Sequence, residues 1–195
     1  MDDSILTAIL VATIVAGTPL ILAALGELVT EKSGVLNLGT EGIMAVGAIA
    51  GFAVAHHSGS ATLGAFAGIG AGALMSLIFA FLTLTLMANQ VASGLALSIF
   101  GVGLSAFIGK PYESATLPAV PTLSIPFLAD VPVIGRAIFD QQAMVYLSWA
   151  LFGSIVWYLY RSRPGLVLRA VGESPASAHS IGYPVIRIRL SLIHI

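Results

Sequence analysis

Few residues in this chain have the types and spacing to do chemistry, and most fail a closer test. In "GVLNLGTE", Gly34 and Gly39 stand at the interval of a phosphate-cradling loop. Such a loop needs a lysine that reaches the phosphates and a hydroxyl for the metal, but Thr40 and Glu41 occupy those places. The chain is therefore not expected to hydrolyse ATP itself. His56 and His57 are neighbours, while His179 and His194 stand alone, none with the acidic partners at ligand spacing that a metal site requires. There are no cysteines, which excludes disulfides and thiolate ligands. No Ser, His and Asp set marks a nucleophile, and neither cofactor nor metal is expected. What remains is a set of polar residues beside long apolar runs: Asn37, Glu41, Asn89 and Gln90, with Gly39 among them. Polar groups at membrane depth are costly to bury and default to functional candidates.

The elements that must position these residues follow from composition. Of 195 residues, 57% are hydrophobic and 9% charged, with mean hydropathy +0.99. A soluble domain carries about 25% charged residues, so this chain cannot cover a water-facing surface. The expected fold is all-α, a polytopic transmembrane helical bundle. The uncharged run Ser4–Leu25 follows an acidic "MDDS" rather than the basic start of a cleaved signal. It is long enough for a retained span, with Pro19 as a kink. No charged residue occurs from Gly42 to Gly109. Breaks at "HHSGS" (His56–Ser60) and "ANQVASG" (Ala88–Gly94) divide this run into spans near 42–55, 62–87 and 92–109. Gly47 and Gly51, and Gly64, Gly68 and Gly72, recur every fourth residue, a pattern that lets helices approach closely within lipid.

Lys110–Gln142 contains Pro111, Pro118, Pro121, Pro126 and Pro132 and is expected to be a long extramembrane loop. Ala143–Tyr160 is a fifth span, with Trp157, Tyr158 and Tyr160 as an interfacial belt at one end. Five of the eight basic residues, Arg161, Arg163, Arg169, Arg187 and Arg189, follow it, which places 161–189 in the cytoplasm by the positive-inside rule. Counting back, Lys110–Gln142 lies outside, Thr30–Gly42 inside, and the N-terminus with Asp2 and Asp3 outside. In the cytoplasmic segment Ser174 is placed to cap a helix, Pro175 to open it, Gly182 to end it left-handed and Pro184 to prevent its continuation. A short helix over Pro175–Ile181 is expected; at this length it needs a surface to dock on.

"GLVLRAVGESPASAHSIGYPVIRIR" (Gly165–Arg189) resembles the cytoplasmic coupling segment of ABC-transporter permeases that import simple sugars, nucleosides and branched-chain amino acids. "GELVTEKSGVLNLGTEGIMAVGA" (Gly26–Ala48) resembles the N-terminal signature of the nucleoside and simple-sugar branch. The resemblance extends to about Leu190. It implies an importer with a second permease subunit, cytoplasmic ATPase subunits and an extracytoplasmic substrate-binding protein, in the bacterial inner membrane, with no nucleic-acid partner. Arg169, Gly172, Glu173, Pro175, Ala178 and Gly182 match the coupling motif. Such permeases continue into further spans, so residues 1–190 are read as an incomplete permease domain of about five spans and 191–195 as an atypical end.

Two readings of Thr30–Gly42 stand at this stage. Its glycines would permit a re-entrant backbone along the substrate path, where Asn37 could bond a sugar hydroxyl or base edge. Equally, it would serve as a cytoplasmic loop of capping residues. Two other function classes stand beside the importer. An ion-coupled secondary carrier would need ionisable residues inside its spans, which Gly42–Gly109 does not supply. A non-transporting membrane scaffold is the third.

Overall fold

The computed structural model describes residues 3–129 and 131–193. Asp2 and His194, used in the sequence reading, lie outside the described residues, as does part of the 191–195 end. Four described helices are long and apolar enough to cross a membrane: Ser4–Lys32, Ala61–Thr85, Gln90–Tyr112 and Ala143–Arg161. A further 19-residue helix, Thr40–Ser58, accompanies them, so the chain is an all-α membrane protein of about five spans. The chain divides into two compact units.

One unit comprises the chain up to Leu25 together with Ala119–Tyr158. Helix α1 (Asp3–Lys32) passes through Pro19 as a single helix. Beside the proline, the Thr18 hydroxyl donates back to the Ile14 carbonyl at 2.8 Å, the local i−4 bond that threonines make within helices. The proline-rich stretch is more ordered than a plain loop. A strand β1 (Thr122–Ser124) pairs antiparallel with β2 (Asp140–Gln142), in the register Leu123 to Gln141, and a short helix α5 (Ile134–Phe139) lies between them. The Tyr146 hydroxyl, on helix α6 (Ala143–Arg161), clips the hairpin by donating to the Leu123 carbonyl and accepting from the Gln141 amide. These bonds join residues up to 23 apart, beyond the reach of a local pattern.

The other unit comprises Gly26–Pro118 and Leu159–Ile195. Helix α2 (Thr40–Ser58) ends on Gly59, at φ +67°, and Ser60 caps helix α3 (Ala61–Ala80). Helices α2 and α3 meet through Gly47 and Gly51 on one side and Gly64 and Gly68 on the other, backbone against backbone. The predicted four-residue glycine spacing thus packs two helices of the same chain. A π turn (Phe81–Thr85) continues α3, and helix α4 (Gln90–Gly109) starts at the Asn89 cap. The second break accordingly falls at 86–89, ahead of the expected 88–94, because Asn89 begins a helix rather than interrupting one. Helix α4 crosses α2 where Gly42 faces Gly101. A core of Val35, Val46, Met75, Phe79, Ala80, Leu84, Leu97 and Ile193 joins these elements.

The first boundary also differs from expectation. Helix α1 runs to Lys32, not Leu25, so Thr30–Gly42 is not one loop: only residues 33–39 are non-helical. Charges at Glu27, Glu31 and Lys32 mark where an apolar run stops, but they are good helix formers and do not stop the helix.

Candidate functional site

Residues 33–39 form an extended strap between α1 and α2. Burial alternates along it: Ser33, Val35, Asn37 and Gly39 are inside and Gly34, Leu36 and Leu38 outside. An extended segment cannot satisfy its own backbone groups, so each must find a partner elsewhere. At its start the amides of Ser33 and Val35 bond back to the Thr30 carbonyl and that of Gly34 to the Glu31 carbonyl; further along, Glu27, one helical turn before the end of α1, ties the strap to that helix. Its Oε1 accepts from the Asn37 amide at 3.0 Å, and its Oε2 accepts from the Thr40 hydroxyl at 3.2 Å and the Thr30 hydroxyl at 3.4 Å. Asn37 is 6% exposed, and its Oδ1 accepts from the Gly39 amide at 2.9 Å, a turn that aims the chain into α2. From α4, the Gln90 Oε1 accepts from the Leu36 amide at 2.9 Å.

The sequence candidates therefore separate. Asn37, Gly39 and Gln90 come together on the strap. Asn89 is exposed and its Oδ1 accepts from the Ala92 amide at 3.0 Å, capping α4. Glu41 is exposed in the first turn of α2, where a carboxylate suits the helix dipole. Glu27 is the residue that sequence reasoning missed. Its signal was available, an ionisable group at the end of a long apolar helix, but closing the first span at Leu25 removed it from view.

The 161–189 segment folds into three short helices: α7 (Arg163–Glu173), α8 (Pro175–Ser180) and α9 (Val185–Ile193). Ser162 caps α7 by accepting from the Gly165 amide, a helix the sequence reading did not anticipate. The Ser174 hydroxyl oxygen accepts from the Ser177 amide, Pro175 opens α8, and Gly182 leaves it at φ +95° with the Tyr183 amide bonded back to the Ala178 carbonyl. Ala178 is buried, whereas Glu173, His179 and Ile181 are exposed. Arg169 lays its guanidinium over the Tyr160 ring, 5.2 Å from the centroid, a cation–π contact. Its buried Nε has no hydrogen-bond partner.

This segment touches the strap. A Cβ on Gly172 would overlap the Lys32 carbonyl oxygen, so α7 rests directly on the backbone where α1 ends. From α9, the Arg189 Nε donates to the Ser33 carbonyl at 3.0 Å. Its guanidinium lies 2.7 Å from where a Cβ on Gly34 would stand, and Gly34 is at φ +81°. Burial lowers the Arg189 pKa from the ordinary arginine value, yet a guanidinium keeps its charge within proteins. Among the described residues, no group of three His, Asp or Glu side chains could hold a metal ion.

Long apolar helices, a polar strap between them and a capped basic segment beside it define a multi-pass membrane protein. The chain belongs to the family of permease components of branched-chain amino acid transport systems, whose profile matches residues 9–195. It is 41% identical over 182 residues to the putative glucose ABC transporter permease protein TsgC13 of Haloferax volcanii, covering 91% of this chain and 55% of that protein. It is 35% identical over 197 residues to the guanosine ABC transporter permease protein NupQ of Bacillus subtilis, covering 95% and 62%. To the nucleoside ABC transporter permease protein NupC of Lactococcus lactis it is 32% identical over 187 residues, covering 90% and 59%. The chain thus spans a little over half the length of these relatives. No solved structure matches it significantly.

Proposed function

We propose that this chain is the membrane-spanning permease part of an ATP-driven ABC importer for nucleosides or simple sugars. The observation that carries this reading is the similarity, over 90% or more of the chain, to three permeases named for glucose, guanosine and nucleoside transport. In this reading a cytoplasmic ATPase supplies the hydrolysis that the chain lacks a phosphate loop to perform. A second permease subunit completes the path, an extracytoplasmic binding protein delivers substrate, and the assembly resides in the cytoplasmic membrane of the cell.

Helix α8 is the element suited to meet the ATPase. It is two turns long, capped at both ends, anchored through Ala178 and exposed at Ala176, Ser177, His179 and Ile181. Arg169, Gly172, Glu173, Pro175 and Gly182 then hold α8 in place and set its exit angles. The strap is the element suited to the path, with Asn37, Gly39 and Gln90 fixing its course and Glu41 and Asn89 capping the helices at its edges. The test is reconstitution of the complete gene product with its ATPase in proteoliposomes. Labelled nucleosides, ribose and glucose should compete for uptake, and one class should stimulate ATP hydrolysis. Hydrolysis indifferent to all of them would overturn the reading.

A further inference from the structure

Turn bonds tie the amides of Ser33, Gly34 and Val35 back to the carbonyls of Thr30 and Glu31 at the end of α1; beyond these, the strap's position is set by side chains that grip it from other elements. Glu27 grips it from α1 and Gln90 from α4. A further grip comes from the other end of the chain: Arg189 reaches the Ser33 carbonyl across 156 residues. A hydrogen bond from a charged donor is shorter and stronger than a neutral one. Two features make this joint stiff. Gly172 and Gly34 have no side chains to interpose, so α7 meets the strap backbone on backbone. Ile193, one turn beyond Arg189 on α9, is buried in the same cluster as Val35 of the strap. Both flanks of α8, α7 before it and α9 after it, are thus fastened to one short stretch, Lys32–Val35, while α8 itself faces solvent.

We infer that Arg189 is a positioning residue that latches α9 to the strap, so that a displacement of α8 is passed through Ser33 to residues 33–39 and, by Gln90, to the start of α4. This rests on the importer reading only for what moves α8; the latch itself is a property of the chain. The effect of Arg189 is read in the link between substrate and ATP hydrolysis, which a residue serving stability alone would leave intact.

The natural chain has no cysteine, so a pair of spin labels at Glu31→Cys on α1 and Ile186→Cys on α9, both exposed positions, reports the joint without background. In the inserted full-length protein this pair should give one narrow distance distribution. Arg189→Ala should broaden it, and Arg189→Lys, which keeps a charged donor, should restore it. In the complex with its ATPase, Arg189→Ala should lower substrate stimulation of ATP hydrolysis about fivefold or more while basal hydrolysis persists, the size of an ordinary coupling loss. An unchanged distance distribution in Arg189→Ala overturns the latch. If Arg189→Ala does not insert, Gly34→Ala attacks the same contact from the strap side, and an unchanged distribution there has the same force. Absence of substrate-stimulated hydrolysis in the wild-type complex would instead count against the importer, leaving the distance measurement to decide the latch.

Discussion

Glu27 carries three hydrogen bonds with one carboxylate, two of them to residues 10 and 13 positions further on. Replacing it by alanine leaves the Asn37 amide and the Thr40 hydroxyl without that acceptor. An unsatisfied buried donor costs about 1–3 kcal/mol, more than the net worth of the bond itself. Glu27→Ala should therefore lower the unfolding midpoint of the detergent-solubilised protein clearly. Glu27→Gln, which keeps one acceptor oxygen, should lower it less, and equal midpoints for the two would contradict this account. Asn37→Ala removes the turn to Gly39 and should cost about 1 kcal/mol by the same reasoning. Under the importer proposal its effect on uptake should exceed that of Asn89→Ala, because Asn89 spends its side chain on a helix cap.

At the scale of elements, glycines decide which helices touch. A Cβ at Gly42 would stand 2.6 Å from the Leu97 carbonyl oxygen, and one at Gly101 would stand 2.5 Å from that of Gly42. Backbone cannot give way as a flexible side chain does, so Gly42→Ala or Gly101→Ala should destabilise the α2–α4 crossing by about 1–3 kcal/mol, the usual range for overpacking. Gly103, two residues further along α4, has nothing within 4 Å of its would-be Cβ. There alanine should be neutral or stabilising, by up to about 1 kcal/mol, from helix propensity. Thermal denaturation of the three variants side by side checks the contrast. The same spacing rule found α2 and α3 correctly, because a four-residue repeat places glycines on one helix face whatever that face meets. It missed Gly42 with Gly101, whose pairing depends on how two helices cross.

At the scale of the whole molecule, the importer proposal predicts an orientation and a docking face. Single cysteines in this cysteine-free chain provide the measurement. His57→Cys should react with a membrane-impermeant maleimide on intact cells, and Arg163→Cys only after permeabilisation, as basic residues gathered on the cytoplasmic side require. Reaction of both from outside would reverse the topology. Ile181, 73% exposed just past α8, should form part of the ATPase contact. Ile181→Asp should weaken co-purification of the ATPase about tenfold, in the range for losing one well-buried interface residue, without changing insertion.

The sequence by itself determined what is local or additive. Hydropathy is summed residue by residue, so the membrane class and the spans are legible without a fold. Caps act within three or four residues, so Ser174, Pro175 and Gly182 announce α8 directly, whereas the continuation of α1 to Lys32 is hidden because the charges that end its apolar run do not end the helix. Only the tertiary structure decided what the polar residues do. Gln90 and Arg189 lie 54 and 156 residues from their strap partners, and nothing in their spacing, or in that of Glu27 at the end of α1, says that three separate helices will meet the strap. An extended segment must borrow its hydrogen bonds from elsewhere, and which groups lend them is settled when the helices pack.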